Sequence, residues 1–352
     1  MSDNINKIIK EINKKYGENA VVLMGSDNVD LSIKAIPTQS LRLNRALGIG
    51  GLPRGRIIEI YGPESSGKSS IALGVAAEAQ KMGGTVAYVD AENSLNIEHA
   101  KLLGLDFNKI YYVQPNGGEE ALNITEALIR SGEIDVIIVD SVAALVPLAE
   151  AEAEMEKQHM GLQGRMMSKA CRKLTAIIGK TKTVCIFINQ IREKVGGYGN
   201  PETTPGGRAL AFYSSVRIEV RRGEFIGDKE APDGHITRCA IKKNRVATPH
   251  RRAEYRVIYD VGIDKYDEII AVAAEEDIIK QKGAWFAVEI NGETVQFHGA
   301  AKLTNYLIEN PELYYELYNK TMDKIRAGKT RAESVPIEDI EEVIEDEIVE
   351  EE

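Results

Sequence analysis

The amino-acid sequence predicts an α/β fold with a mainly parallel central sheet, an N-terminal helix before it and a small α/β domain after it. Three observations predict this. Short runs dense in β-branched residues recur: Ile57–Tyr61, Val86–Asp90, Val136–Asp140, Val184–Asn189 and Val216–Val220. Helical stretches such as Ser69–Met82 and Glu120–Arg130 lie between the first four, the alternation of βαβ units. The runs are largely apolar, as strands buried on both faces are.

The elements follow in chain order. Residues 4–16 read as an amphipathic helix with Ile5, Ile8, Ile9 and Ile12 on one face. The α/β alternation occupies the segment from Arg56 to about Asp260. Its last runs, Thr237–Lys242 and Tyr255–Tyr259, have no long helix between them and read as antiparallel additions at the end of the sheet. From Lys265 the pattern becomes helix, a Trp285–Ile290 strand, an Asn291-Gly292 turn, a second strand and two helices. The predicted divisions are 1–35, 36–264, 265–328 and a disordered acidic tail, 329–352.

Composition excludes several classes. The chain has 352 residues, 43% hydrophobic and 28% charged, which is ordinary for a globular protein. No apolar run approaches the roughly 20 residues that cross a bilayer, and the polar, lysine-rich start is unlike a signal peptide. The three cysteines, Cys171, Cys185 and Cys239, are scattered. They indicate neither a disulfide framework nor a zinc site, and they fit a reducing cytoplasm. Residues Glu338 to Glu352 carry ten acidic side chains and no basic one, which accounts for the whole net charge of −10. The body is therefore neutral. The tail reads equally as a solubility device or as an internal competitor for a basic surface.

The strongest motif is Gly62-Pro63-Glu64-Ser65-Ser66-Gly67-Lys68-Ser69, a full match to G-x-x-x-x-G-K-[ST] between a predicted strand and a predicted helix. Glycines let backbone N–H groups curl around phosphate oxygens, and the helix N-terminus adds positive potential. Lys68 suits the β- and γ-phosphates of ATP, and the Ser69 hydroxyl suits Mg²⁺. Asp140, ending Val136-Ile137-Ile138-Val139, has the form of a Walker B carboxylate, the second metal candidate. Asp90 and Glu92 follow the Val86 strand, and Asn189 and Gln190 end the Val184 strand. Ligands of open α/β sheets bind beyond the carboxyl ends of strands. The catalytic candidates are therefore Lys68, Glu92 to orient or deprotonate water, and Gln190 as sensor of the γ-phosphate.

Wider segments carry a more specific likeness. They are Ala46-Leu47-Gly48-Ile49-Gly50-Gly51, Glu59 through Lys68, Val139-Asp140-Ser141-Val142-Ala143-Ala144-Leu145, His159-Met160-Gly161-Leu162, Phe187-Ile188-Asn189-Gln190-Ile191-Arg192 and Asn200-Pro201-Glu202-Thr203-Thr204. With these the chain resembles the bacterial RecA recombinase family over about residues 40–260, and more weakly to about 325. The resemblance implies a RecA-type core and a DNA-dependent ATPase using ATP and Mg²⁺. It also implies a helical homo-oligomeric filament on single-stranded DNA, strand exchange with double-stranded DNA, and promotion of SOS repressor self-cleavage. Filament loaders and removers would be further partners. The N-terminal segment 1–35 would serve subunit contact.

The family's first DNA loop corresponds to about 152–165, with Met160 and Arg165, and with Ser168 and Arg172 on the helix beyond. The second corresponds to about 191–208, with Arg192, Val195, Gly206, Gly207 and Arg208. Ser70, Asp90, Asn96, His99, Ser141 and Tyr259 correspond to nucleotide-site positions. Lys243 and Arg245 correspond to residues that reach a neighbour's γ-phosphate, and Phe212 to an interface residue. The sequence departs from the common family form at several places. Asn96, Ile97 and His99 stand for Asp, Pro and Tyr, and Ser69-Ser70 stands for Thr-Thr. Ala211 and Arg245 each stand for Lys. A ring-shaped helicase or motor on the same core is the alternative enzyme class, and an ATP-gated scaffold is the non-enzymatic one. The DNA-loop cations are partly offset by acidic neighbours. Neutralising about two phosphates per subunit gives a salt slope of only about −1.4, so a tethered array fits better than an isolated DNA-binding module.

Overall fold

The computed structural model describes residues 3–17, 20–23, 32–153, 161–193, 202–228 and 230–327. The chain falls into two units, divided between Lys34 and Ala35. In the first, α1 (Asp3–Tyr16) is the predicted amphipathic helix. The Asn13 side chain bonds both the N–H and the carbonyl of Val21, which turns the following chain back on the helix.

The second unit opens with β1 (Ala35–Ile36), α2 (Leu41–Leu47) and β2 (Leu52–Pro53). There follow β3 (Arg56–Gly62), α3 (Lys68–Lys81), β4 (Val86–Asp90), α4 (Ile97–Leu102), β5 (Ile110–Val113), α5 (Gly118–Arg130), β6 (Val136–Asp140) and the one-turn α6 (Leu148–Ala151). Then come α7 (Leu162–Thr181), β7 (Val184–Gln190), the small β8 (Arg192–Glu193) and β9 (Glu202–Thr203) pair, and α8 (Ala209–Tyr213). The long β10 (Val216–Gly227), β11 (Pro232–Asn244), β12 (Arg252–Ile258) and β13 (Gly262–Ile263) complete the core.

Among the described residues the central sheet has nine strands, in the order β13-β12-β11-β10-β3-β7-β6-β4-β5. From β10 to β5 every pairing is parallel. From β10 to β13 every pairing is antiparallel. This is the α/β class and the antiparallel extension that the sequence predicts. The edge strand β5 was not among the predicted runs. Its residues Ile110-Tyr111-Tyr112-Val113 are only partly buried, so the run lacks the aliphatic density of the central strands.

Period-2 alternation sorts the sheet into two cores. Ile58, Ile60, Val86, Tyr88, Val136, Ile138, Ile186 and Ile188 face α3. Ile57, Ala87, Val89, Ile137, Val139, Cys185 and Phe187 face α5 and α7. Helix α3 is buried on nearly all sides, through Ile71, Leu73, Val75 and a run of alanines. Small side chains let it approach the sheet closely and aim its N-terminus at the strand ends.

The remaining elements are α9 (Lys265–Glu275), β14 (Lys280–Lys282), β15 (Trp285–Ile290), β16 (Glu293–His298), α10 (Ala300–Glu309) and α11 (Pro311–Arg326). Their core gathers Ile269, Val272, Phe286, Val288, Leu303, Leu307, Leu317 and Ile325, together with Leu41 from α2. Strand β14, exposed along its length and rich in lysine, is a second strand that apolar patterning misses. Among the described residues no helix is long and apolar enough to cross a membrane.

One buried carboxylate joins these elements to the core. Glu268 of α9 accepts from the Ser40 hydroxyl (2.5 Å), the Leu41 N–H (2.7 Å) and the Arg42 N–H (3.3 Å), so it caps α2 from outside that helix. Arg45 adds ion pairs to Glu275 and Glu276. Glu268→Ala strands those donors and is expected to cost about 2–4 kcal/mol, read as a shift in urea midpoint. Burial pushes the Glu268 carboxyl up to about 7. A carboxyl raised above its unfolded value stabilises the folded state most where it is protonated. Wild-type stability relative to Glu268→Gln should therefore fall as pH rises from about 5 to 8; a constant difference would refute this.

Candidate functional site

The glycine-rich loop connects β3 to α3. Gly62 ends β3 where its neighbour β10 runs against it: a Cβ there would lie 2.0 Å from the Val220 carbonyl oxygen, so only glycine fits. Gly67, at φ +94°, is the left-handed residue that turns the loop into α3. Ser66 Oγ donates to the Pro63 carbonyl (2.8 Å) and holds the curl closed. Lys68 is 8% exposed and its Nζ donates to the same carbonyl (2.6 Å). Burial lowers its pKa, while the Asp140, Glu92 and Glu64 carboxylates push it back up.

Alternation decides what meets Lys68. Asp140, Asp90, Tyr88 and Gln190 have the parity of the α3-facing core residues, so all four stand on the Lys68 side of the sheet. Ser69 Oγ donates to Asp140 Oδ2 at 2.8 Å, and the Tyr88 phenol donates to the same oxygen at 2.8 Å. Burial raises the pKa of Asp140, against the lowering effect of these two bonds. Burial, with the adjacent carboxylates, raises the Tyr88 phenol well above its ordinary value. A hydroxyl beside one carboxylate is a hard-oxygen pair that fits Mg²⁺, which binds through one or two carboxylates plus substrate phosphates. Among the described residues no group of three or more His, Cys, Asp or Glu is placed to hold a metal ion by itself.

Glu92 lies just beyond β4. The Asp140 carbonyl accepts from the N–H groups of Ala91 (2.7 Å) and Glu92 (3.2 Å) and anchors that turn. Gln190 Nε2 donates to Glu92 Oε1 at 2.9 Å. The two strand-end candidates thus meet directly. Asp90 tightens the loop beyond, accepting from the N–H groups of Ser94 and Leu95 and from the Tyr112 phenol (2.9 Å). Burial, and that bond to Asp90, push the Tyr112 phenol up to about 12.

Asn96 opens α4. Its side chain accepts from the His99 N–H (2.9 Å) and caps α4. His99 Nε2 bonds Ser70 Oγ at 2.8 Å, and burial holds the ring below its ordinary pKa. Asn96, His99, Leu102, Tyr259, Asp260 and Gly262 line one cleft, which joins α4 to the β12–β13 turn. Ser141 Oγ is buried beside Asp140 and has no hydrogen-bond partner among the described residues.

On the opposite face Asn189, one residue before Gln190, donates to buried Glu59 (3.1 Å) and to the Pro205 carbonyl (3.1 Å). Glu59 is paired with Arg217 at 2.5 Å. Gln163, on α7, donates to the carbonyls of Val142 (2.8 Å) and Leu145 (3.2 Å) and accepts from the Gly206 N–H (3.1 Å). The returning arm of the second loop is thereby tied both to β7 and to the turn after Asp140. Arg165, Ser168, Arg172, Arg192, Gly207 and Arg208 are exposed, and Gly206 is buried. Met160 and Val195 lie outside the described residues, as do 154–160, 194–201 and the acidic tail. Lys243 Nζ donates to the carbonyls of Ala211 (2.8 Å) and Phe212 (2.9 Å), and Arg245 to Phe212 (3.1 Å). Burial lowers the Lys243 pKa, and Phe212 itself is 66% exposed.

Tyr88, Tyr112, Gln163 and the Glu59–Arg217 pair were not among the predicted site residues. The parity of β4 carried a signal for Tyr88, which stands two positions before Asp90. Gln163 and Glu59 carried none, since their partners are distant in sequence.

Comparison with known proteins identifies the family. A family profile described as RecA N-terminal domain matches residues 3–264, and one described as RecA C-terminal domain matches 267–326. The chain is 51% identical over 317 residues to Protein RecA of Clostridium novyi, covering 90% of this chain and 89% of that one. It is 50% identical over 316 residues to Protein RecA of Lactobacillus johnsonii, covering 90% and 87%. Protein RecA of Macrococcus caseolyticus is 46% identical over 342 residues, covering 95% and 96%. The chain belongs to the RecA family and is, as such, a DNA-dependent ATPase with strand-exchange activity in DNA recombination and repair, using ATP with Mg²⁺.

Proposed function

We propose that this chain polymerises as a helical filament on single-stranded DNA, pairs it with homologous duplex and exchanges the strands, with nucleotide state controlling the grip on DNA. In the same state the filament promotes self-cleavage of the SOS repressor and is acted on by loaders and removers. The reading rests on one observation, the pair of neighbours ending β7. Gln190 bonds Glu92 on the phosphate face, while Asn189 bonds Pro205, in the second DNA loop, on the other. A displacement of Gln190 by a γ-phosphate is transmitted along one peptide to that loop, an order–disorder switch of local origin.

The residue roles follow. The loop from Gly62 to Ser70 cradles the phosphates, with Lys68 at the β- and γ-phosphates and Ser69 with Asp140 at Mg²⁺. Glu92 orients or deprotonates water. His99, Asn96 and Tyr259 flank the base, and Asp90 and Ser141 shape the site. Arg165, Ser168, Arg172, Arg192, Gly206, Gly207 and Arg208 serve DNA. Lys243 and Arg245 reach the neighbouring subunit's nucleotide, and exposed Phe212 packs at that interface. Three buried free cysteines suit a reducing cytoplasm.

ATP turnover measured with and without single-stranded DNA, with electron micrographs of the same samples, tests the reading. Turnover should rise at least tenfold with DNA and filaments should form. Equal rates with no filament overturn the reading, and a closed hexamer that unwinds directionally supports the ring motor instead.

A further inference from the structure

We propose that Tyr88 is a positioning residue for the Mg²⁺ site, acting solely through Asp140. The proposal rests on the assignment of Ser69 and Asp140 to the metal. Tyr88 sits in the middle of β4, 1% exposed, with its ring stacked on that of Tyr112 at 6.4 Å between centroids. It is two residues before the strand end and opposite Ile138 in the β4–β6 register, so its side chain points along the face that carries Asp140. Its hydroxyl donates to Asp140 Oδ2 at 2.8 Å, the same oxygen that accepts from Ser69 Oγ at 2.8 Å.

Two donors on one carboxylate oxygen fix the torsion of the Asp140 side chain, which is otherwise free to rotate about its terminal bond. The Ser69 bond alone cannot do this. The Ser69 hydroxyl is itself a proposed metal ligand at the start of α3, and any shift of the phosphate loop moves it. Tyr88 is anchored in the sheet and packed in the core, so it references the carboxylate to the strands rather than to the loop. The phenol is buried behind Asp140 and is not itself a metal ligand. Groups that orient metal-ligating carboxylates typically alter metal affinity by about 10–100-fold when removed.

Tyr88→Phe removes only the hydroxyl and keeps the ring that fills the core. The test uses the full-length protein with Mn²⁺ as the probe ion and β,γ-imido-ATP. Metal affinity is read by electron paramagnetic resonance, and thermal midpoint is followed in parallel. We expect Tyr88→Phe to weaken Mn²⁺ binding about tenfold, with nucleotide affinity restored at saturating Mg²⁺. A residue that merely packs the core would shift the thermal midpoint and leave the metal titration unchanged. Asp140→Asn is the control. If it abolishes tight Mn²⁺ binding while Tyr88→Phe stays within twofold of wild type, the positioning role is overturned and the metal assignment stands. If neither variant weakens binding, the metal assignment fails, and the role of Tyr88 with it.

Discussion

Glu92→Gln should leave ATP binding within about twofold of wild type and lower single-turnover hydrolysis by about 10²–10⁴, the usual contribution of a positioned acid–base group. Glu92 is exposed at the end of β4, beyond the buried strand, and its backbone is fixed by the Asp140 carbonyl. The substitution is nearly isosteric and replaces one carboxylate oxygen by a neutral NH2 group. It also exchanges the charged carboxylate that accepts from Gln190 for a neutral amide oxygen, a weaker acceptor, so the DNA response of any residual turnover should weaken. Rapid-quench measurement of hydrolysis, alongside fluorescent-nucleotide titration, separates chemistry from binding. A fall in turnover of less than tenfold would remove Glu92 as the general base.

Lys68→Ala should have the larger effect on binding. The ammonium is nearly buried at the start of α3, with three carboxylates, Asp140, Glu92 and Glu64, close enough to bias its charge. Losing a buried hydrogen bond to a charged group costs up to about 3 kcal/mol, on the order of 10² in affinity. Removing the cation also leaves those carboxylates without their counter-charge beside incoming phosphates. Calorimetric titration with ATP should show the loss, and DNA-dependent turnover and strand exchange should vanish with it. Strand exchange that survived Lys68→Ala in a purified system would mean that nucleotide chemistry is not central, and would favour the scaffold reading.

These two residues differ in how far sequence reaches them. The loop around Lys68 is local: glycines, lysine and serine lie within eight consecutive positions, and strand–loop–helix context supplies the rest. Asp140 and Gln190 were legible because each ends an apolar run, and such runs become parallel strands whose carboxyl ends share one edge. The contact between Gln190 and Glu92 was not legible. It depends on β7, β6 and β4 being adjacent, and on the turn after β4 folding back onto the Asp140 carbonyl. Asn96 illustrates the limit in another way. Its likeness is to a nucleotide-site position, and the structure adds that the same side chain caps α4, its hydrogen bond coming from the His99 N–H.

The linear order of residues determined the α/β class, the phosphate loop, the strand-end carboxylates and the family, because each is written in short-range periodicity or in contiguous motifs. Tertiary structure alone decided that Tyr88 and Ser69 share one oxygen of Asp140, that Asn189 holds Pro205 and that Glu268 caps α2. Those partners are separated by between 16 and 228 residues. Chain proximity cannot specify such pairings. They arise from strand order and from the burial of polar groups that must find a donor or acceptor once water is excluded.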